Sequence, residues 1–234
     1  MTKKLKIVVL TGAGISAESG LSTFRDAGGL WEGHDVMEVA SIDGWRKNPE
    51  LVLDFYNQRR AQAFHVVPNE GHLALVALEK DFDVHIITQN VDDLHERAGS
   101  VKILHLHGVL RQVRSSSNPE IIYDYEDRPI KIGDKCANGS QLRPHIVWFG
   151  EAVPAMEQAV AITSEADIFI IVGTSLAVYP AAGLLDYVKK GITRYIVDPN
   201  IPEVRAKTGT VFVTEKATTG VPKVVQMILE AHQK

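Results

Sequence analysis

Short apolar runs of about five or six residues recur along the chain and alternate with longer stretches in which apolar positions return at helical spacing. Strands alternating with helices in this way are the mark of a parallel α/β sheet. Strands are predicted at 6–11, 84–88, 102–106, 146–149, 168–173, 194–198 and 211–214. Helices are predicted at 69–79, 155–165 and near 221–232, where Pro222 suits a first turn. Two segments break the alternation. Residues 26–67 offer no strand, only a glycine-rich loop and helical material, and residues 111–144 turn polar, with Ser115-Ser116-Ser117-Asn118-Pro119 and Ala137-Asn138-Gly139-Ser140. Both read as insertions that together form a small lobe over the sheet's edge, leaving 1–25, 68–110 and 145–234 to the large lobe.

Composition narrows the class. A chain of 234 residues with 45% hydrophobic and 23% charged residues is long enough for one large domain and ordinary for a soluble protein. The formal net charge of -4, with Arg59 and Arg60 as the one concentrated basic spot, argues against nucleic acid or an anionic membrane as main partner. The longest apolar run is far short of a membrane span, and Met1-Thr2-Lys3-Lys4 leads into a strand instead of a signal-peptide core, so a cytoplasmic location is expected. The single cysteine, Cys136, can neither close an internal disulfide nor build a thiolate zinc site alone.

The candidate chemistry lies at strand ends. Leu10-Thr11-Gly12-Ala13-Gly14-Ile15-Ser16-Ala17 is G-x-G-x-x-A after the first strand and opening a predicted helix, a pattern that lets backbone N–H groups approach a pyrophosphate. A plain tight turn would use the same residues. An ordinary dinucleotide fold would continue to a second strand ending in an acid about twenty residues on. This chain gives Leu21-Ser22-Thr23-Phe24-Arg25-Asp26-Ala27-Gly28-Gly29-Leu30-Trp31, an aromatic, charged loop suited to closing over the nicotinamide end of a cofactor. Thr88-Gln89-Asn90-Val91-Asp92-Asp93-Leu94-His95 places amides and a carboxylate at a strand's carboxyl end, although Asn90 or Asp92 could equally cap the next helix. Gly173-Thr174-Ser175 suits a ribose or phosphate or an N-cap turn, and Asp198 could take a ribose hydroxyl. In Lys102-Ile103-Leu104-His105-Leu106-His107-Gly108 the two histidines share one face of a strand, where they could hold a metal, titrate together or pack. A metallohydrolase lacks a third ligand close by, and a dehydrogenase lacks the second strand and its acid.

Taken in order, Gly12-Ala13-Gly14-Ile15-Ser16, Thr23-Phe24-Arg25 with Gly29-Leu30-Trp31, Thr88-Gln89-Asn90-Val91-Asp92, Leu106-His107-Gly108, Leu142-Arg143-Pro144 with Val147-Trp148-Phe149-Gly150-Glu151, and Gly173-Thr174-Ser175 resemble the motifs of the sirtuins over essentially the whole chain. The resemblance implies a Rossmann-like large domain, a small helical and zinc-binding lobe, and NAD-dependent deacylation of protein lysines. It implies that Gly12, Ala13, Gly14 and Ser16 hold the pyrophosphate with Glu18 nearby, that Ile15 and Ala17 belong to the same cofactor-binding stretch, and that Thr23, Phe24, Arg25 and Trp31 belong to the cofactor loop. Gln89, Asn90, Val91 and Asp92 would line the nicotinamide pocket, and Gly173, Thr174, Ser175, Asp198 and Ala217 would lie towards the adenosine. Asp198 departs from the asparagine more usual there. Val147, Phe149, Gly150 and Glu151 would meet the acyl-lysine peptide, bound as an added strand between the lobes. Asn90, Asp92 and His107 would be catalytic: the acyl oxygen displaces nicotinamide, and His107 acts as general base on a ribose hydroxyl, giving free lysine and O-acyl-ADP-ribose. His105 is expected to be buried, hydrogen-bonded and able to help set the position of His107.

In Leu53-Asp54-Phe55-Tyr56-Asn57-Gln58-Arg59-Arg60, Tyr56 and Arg59 share a helix face, where a guanidinium beside a phenol makes a carboxylate receptor. A solvated helix face is the plainer reading. The resemblance favours the receptor, because a subclass of sirtuins that removes acidic acyl groups carries Tyr-x-x-Arg here with an upstream alanine, matched by Ala40. Succinyl and malonyl removal comparable to deacetylation is therefore expected. The family's two Cys-x-x-Cys zinc pairs are missing: serines stand near Ser115, Lys135 and Asn138 hold the second pair's register, and Cys136 is out of it. Zinc is not expected; Ile121, Ile122, Tyr123, Tyr125 and Ile130, with hydrogen bonds among Ser115, Ser116 and Asn138, should hold the lobe. The rival functions are an NAD or ADP-ribose binding module and an ADP-ribosyltransferase on the same fold.

Overall fold

In the computed structural model, which describes residues 4–22, 30–31, 33–125, 128–200 and 209–232, the first strand sets the architecture. Along β1 (Lys6–Thr11), Ile7 and Val9 join one buried cluster and Val8 and Leu10 another, so the sheet is covered on both faces. The chain then passes through β2 (Leu30–Trp31), β3 (His34–Asp35), α1 (Val36–Val39), α2 (Ile42–Lys47), α3 (Pro49–His65) and α4 (Glu70–Leu78) before returning as β4 (Asp83–Thr88). It continues through α5 (Leu94–Ala98), β5 (Ile103–His105), β6 (Gly108–Ser115), β7 (Ile122–Asp124), β8 (Leu142–Ile146), α6 (Met156–Ser164), β9 (Ile168–Val172), β10 (Thr193–Val197), β11 (Thr210–Val213) and α7 (Ala217–His232). Six parallel strands lie in the order β11-β10-β9-β1-β4-β5, which is the doubly wound Rossmann order. The order reverses between β1 and β9, which places the ligand crevice at their carboxyl ends. Leu75 and Leu78 of α4 and Val221, Val224 and Ile228 of α7 cover one face; Ala159 of α6 and Leu184 cover the other.

The small lobe joins the helices α1–α3 to an antiparallel sheet ordered β7-β6-β8. Val36, Val39, Ala40, Val52, Phe55, Tyr56 and Trp148 form one apolar cluster, and Leu53, Val113, Tyr125, Ile130, Cys136 and Leu142 another. Asn48 caps α3, accepting from the Leu51 N–H at 3.1 Å, and Pro49 opens it.

Four expectations need correction. The G-x-G-x-x-A loop opens two 3₁₀ turns, Ala13–Ile15 and Ala17–Ser19, and not a longer helix. The strand expected at 146–149 lies earlier, at β8, because Arg143 is buried and its polar sequence conceals an interior strand; Pro144 is tolerated there because β8 is an edge. Residues 26–67 do carry strands, the two-residue β2 and β3, and the polar stretch carries β6 and β7. The last helix begins at Ala217 rather than Val221, so Pro222 falls inside it.

Candidate active site

The two glycine loops meet at the switch point. The Gly12 N–H donates to the Val172 carbonyl at 3.0 Å and the Gly14 N–H to the Gly173 carbonyl at 2.9 Å. A Cβ on Gly14 would lie 2.6 Å from the Gly173 Cα, and Gly173 has φ +61°, so both positions need glycine. Ile15 turns its side chain into the core and offers the loop only its backbone. Ser16 sits between the catalytic candidates: the Asn90 Nδ2 donates to its hydroxyl at 3.1 Å, and the hydroxyl donates to Asp92 Oδ2 at 3.0 Å. The other Asp92 oxygen accepts the Leu94 N–H at 3.1 Å, so the capping reading of Asp92 holds for one oxygen. Burial pushes the Asp92 carboxyl above its ordinary range against these two donors.

Beneath Asn90 runs a buried polar chain. Thr11 donates to Thr88 at 2.8 Å, Thr88 accepts the Asn90 N–H at 3.0 Å, and His95 Nε2 lies 3.0 Å from the Thr11 hydroxyl. Gln89 donates to Thr174 at 3.1 Å, joining the ends of β4 and β9. Thr174 also accepts the Leu176 N–H at 3.2 Å, a turn contact of the kind its sequence allows. Asp198 is buried at the end of β10 and accepts the Asn200 N–H at 2.8 Å. Glu18 reaches α7, accepting the Thr218 hydroxyl at 2.7 Å beside the buried Ala217. The sheet thus brings the expected residues of four strands to one edge. Thr23, Phe24 and Arg25 lie outside the described residues.

Gly108 turns the chain from β5 into β6 with φ +83°; a Cβ there would lie 1.9 Å from the His145 carbonyl oxygen. That turn leaves His107 at the junction of the two sheets, its carbonyl accepting the Val147 N–H at 2.9 Å. His107 Nδ1 lies 3.0 Å from the Gln89 carbonyl, an acceptor only, so Nδ1 carries the proton and Nε2 keeps its lone pair. Burial pushes the His107 pKa below its ordinary value, partly offset by that carbonyl, and the ring is neutral at pH 7. His105 does not touch this base. Its Nδ1 faces the Asn90 carbonyl at 3.0 Å and its Nε2 faces Glu96 Oε1 at 2.7 Å.

The acyl-side candidates gather in the small lobe. Arg59 and Arg60 are 7% and 1% exposed, which excludes the solvated helix face. The Arg59 guanidinium lies 4.6 Å from the centroid of the Trp31 ring, and Trp31 meets Phe55 edge-on at 5.2 Å, so Trp31 stands with the acyl candidates. Tyr56 is fully buried, its hydroxyl proton has no acceptor among the described residues, and burial holds its pKa above the usual phenol range against the Trp148 indole N–H beside its oxygen and the nearby charge of Arg59. Ala40 packs in the same cluster, and its carbonyl accepts the Phe149 N–H at 2.9 Å, which sets this alanine beside Phe149. Glu151 is differently engaged. It receives Arg143 at 2.8 Å, Arg114 at 3.0 Å and the Trp148 N–H at 2.9 Å, and these bonds brace the lobe junction.

The Sir2 family model matches residues 12–180, which covers every element of this crevice from the glycine loop to Ser175. The chain belongs to the Sir2 family. It is 54% identical over 225 residues to a protein of Helicobacter pylori (strain J99) named NAD-dependent protein deacylase, covering 94% of this chain and 96% of the relative. A solved Sir2 homologue–NAD complex superposes with a TM-score of 0.87 at 38% identity over 97% of this chain and 91% of the other. A Sir2 structure bound to an inhibitor, 2'-O-acetyl-ADP-ribose and a deacetylated p53 peptide superposes with a TM-score of 0.74 at 30% identity, covering 96% and 93%.

In this Sir2 chain the zinc position holds a hydrogen-bonded clasp. Ser115 Oγ lies 2.6 Å from Ser140 Oγ, Cys136 Sγ donates to Asn138 Oδ1 at 2.8 Å, and Asn138 Nδ2 donates to Ser117 at 3.1 Å. One thiol, three hydroxyls and an amide that satisfy one another do not fit a structural zinc, and among the described residues no group of three or more His, Cys, Asp or Glu could hold a metal ion. Ser117 and Ser140 take the place expected for Ser116; Ile122 and Tyr123, expected inside, are exposed on the edge strand β7. The Sir2 crevice itself fits a dinucleotide, since glycine backbone, hydroxyls, amides and the Asp198 carboxylate converge on it. Sequence reasoning missed Thr11, Thr88, Glu96, Arg114 and Arg143; the threonines at two strand ends were the available signal.

Proposed function

We propose that this chain is an NAD-dependent protein-lysine deacylase that removes succinyl and malonyl groups at least as readily as acetyl, with acylated proteins or peptides as substrates. The observation that carries the acyl preference is the buried Tyr56 hydroxyl, whose proton has no acceptor among the described residues, one helical turn from the buried Arg59. A buried polar group is stable when a ligand completes its hydrogen bonds, and a carboxylate accepts from a phenol and a guanidinium together. The small side chain of Ala40 leaves room for the longer acyl chain.

Bound NAD supplies the ribose hydroxyl that receives the acyl group. The protein's part falls to three side chains. His107 presents the unprotonated Nε2 as general base, its tautomer fixed by the Gln89 carbonyl. Asn90 and Asp92, tied together through Ser16, place an amide dipole and a carboxylate where positive charge develops on the ribose. A module that only bound NAD or ADP-ribose would have no use for a base held in this tautomer.

The test is one peptide carrying succinyl-, malonyl- or acetyl-lysine, incubated with NAD while nicotinamide and free lysine are both measured. Arg59→Met and Tyr56→Phe should lower kcat/KM for the acidic acyl groups about tenfold or more and leave deacetylation within a few-fold. A strong acetyl preference unchanged by Arg59→Met would refute the acyl assignment.

A further inference from the structure

Both ring nitrogens of His105 face groups that can only accept. A carbonyl oxygen has no proton to give, and neither has a carboxylate, so the short contacts to Asn90 O at 3.0 Å and Glu96 Oε1 at 2.7 Å are both hydrogen bonds only if both nitrogens carry protons. The ring is then an imidazolium. Its neighbour His107, two residues on, faces an acceptor through one nitrogen and is neutral. The two histidines sit side by side on consecutive carbonyls, those of Asn90 and Gln89, one charged and one neutral.

We propose that His105 is a positioning residue: as an imidazolium clamped between Glu96 and the Asn90 carbonyl, it fixes the strand end that carries Gln89, Asn90 and Asp92. The surroundings support this role. Asp92, two residues beyond the clamped carbonyl, is held in turn by hydrogen bonds from Ser16 and Leu94, so a shift of the strand end would move it. Glu96 of α5 is the ring's direct counter-ion, with Arg111 acting on that carboxylate from β6. The other titratable groups in electrostatic reach, His95 and His145, are driven below their usual pKa by burial and are uncharged at neutral pH. Burial opposes the charge on His105 as well, but Glu96 outweighs it and holds the pKa above its ordinary value. The strand pairing Thr88 with His105 carries the clamp directly to the site.

Histidine-labelled protein titrated by NMR tests the charge state without turnover: His105 should titrate above about 6.5 and His107 below it. Turnover of whichever acyl-lysine peptide the enzyme uses best tests the role, so the inference stands apart from the acyl preference. His105→Ala should lower kcat about tenfold or more with peptide KM little changed. Glu96→Gln should do less, because a neutral ring can still donate to the Asn90 carbonyl while accepting from the new amide. The activity of Glu96→Gln relative to wild type should recover as the pH falls from about 8 to 6 and the ring regains its proton. Wild-type His105 titrating at or below about 6.5, or His105→Ala keeping kcat within about twofold, would overturn the proposal.

Discussion

His107 and His72 show how burial gives one residue type different duties. In the proposed mechanism the base form of His107 must be present for deacylation, and burial lowers its pKa, so kcat/KM should stay level through neutral pH and fall only on the acid side of about 6.5. His107→Ala or His107→Tyr should abolish NAD-dependent deacylation; retained full activity would remove the assignment. His72 is completely buried and its pKa is pushed down to about 4 by desolvation, while Nδ1 accepts the Asn69 N–H at 3.3 Å in the cap of α4. The unfolded chain binds that proton near pH 6.5 and the folded chain does not, so stability is full above about pH 6.5 and falls towards pH 4, by up to about 3 kcal/mol from this residue. Chemical denaturation at pH 7 and pH 5 should show the loss, and His72→Gln should shrink it.

At the scale of elements, the lobe junction depends on Glu151. Its carboxylate sits between Arg114 and Arg143, and Arg143 also stacks 3.4 Å from the centroid of the Trp148 ring. Burial opposes its ionisation, yet Arg143 and the Trp148 N–H hold its pKa below the ordinary range. Glu151→Gln strands two buried guanidinium groups and should cost about 3 kcal/mol in unfolding free energy, measurable by urea denaturation. The same cluster explains where sequence reading ended. The six sheet strands were legible because each is a local apolar run, β1 and β9 above all. β6 was not, because a register shift between Gly108 and Val113 breaks its alternation and its partner β8 lies some thirty residues further on. Of the site, the glycine loop and Gln89-Asn90-Val91-Asp92 could be read from local motifs. The clamp of Glu96 on His105 and the bracing of Glu151 depend on contacts between elements that no local spacing records.

For the molecule as a whole, the large lobe supplies the cofactor edge, the small lobe carries the proposed acyl receptor, and Gly108 and 147–149 connect them. The clasp of Ser115, Ser117, Cys136, Asn138 and Ser140 ties this end of the small lobe together through hydrogen bonds between protein groups. Asn138→Ala removes an amide that both accepts from Cys136 and donates to Ser117, and should cost about 1–3 kcal/mol, whereas Cys136→Ser keeps a donor in place and should cost less. Elemental analysis of purified protein should find no stoichiometric zinc, and prolonged chelation should leave melting temperature and activity unchanged. The wider meaning is one of supply. Maturation of this chain would end with folding, with no metal to be delivered, so in cells grown under zinc starvation its specific activity should match that of replete cells while enzymes built on a thiolate zinc centre decline.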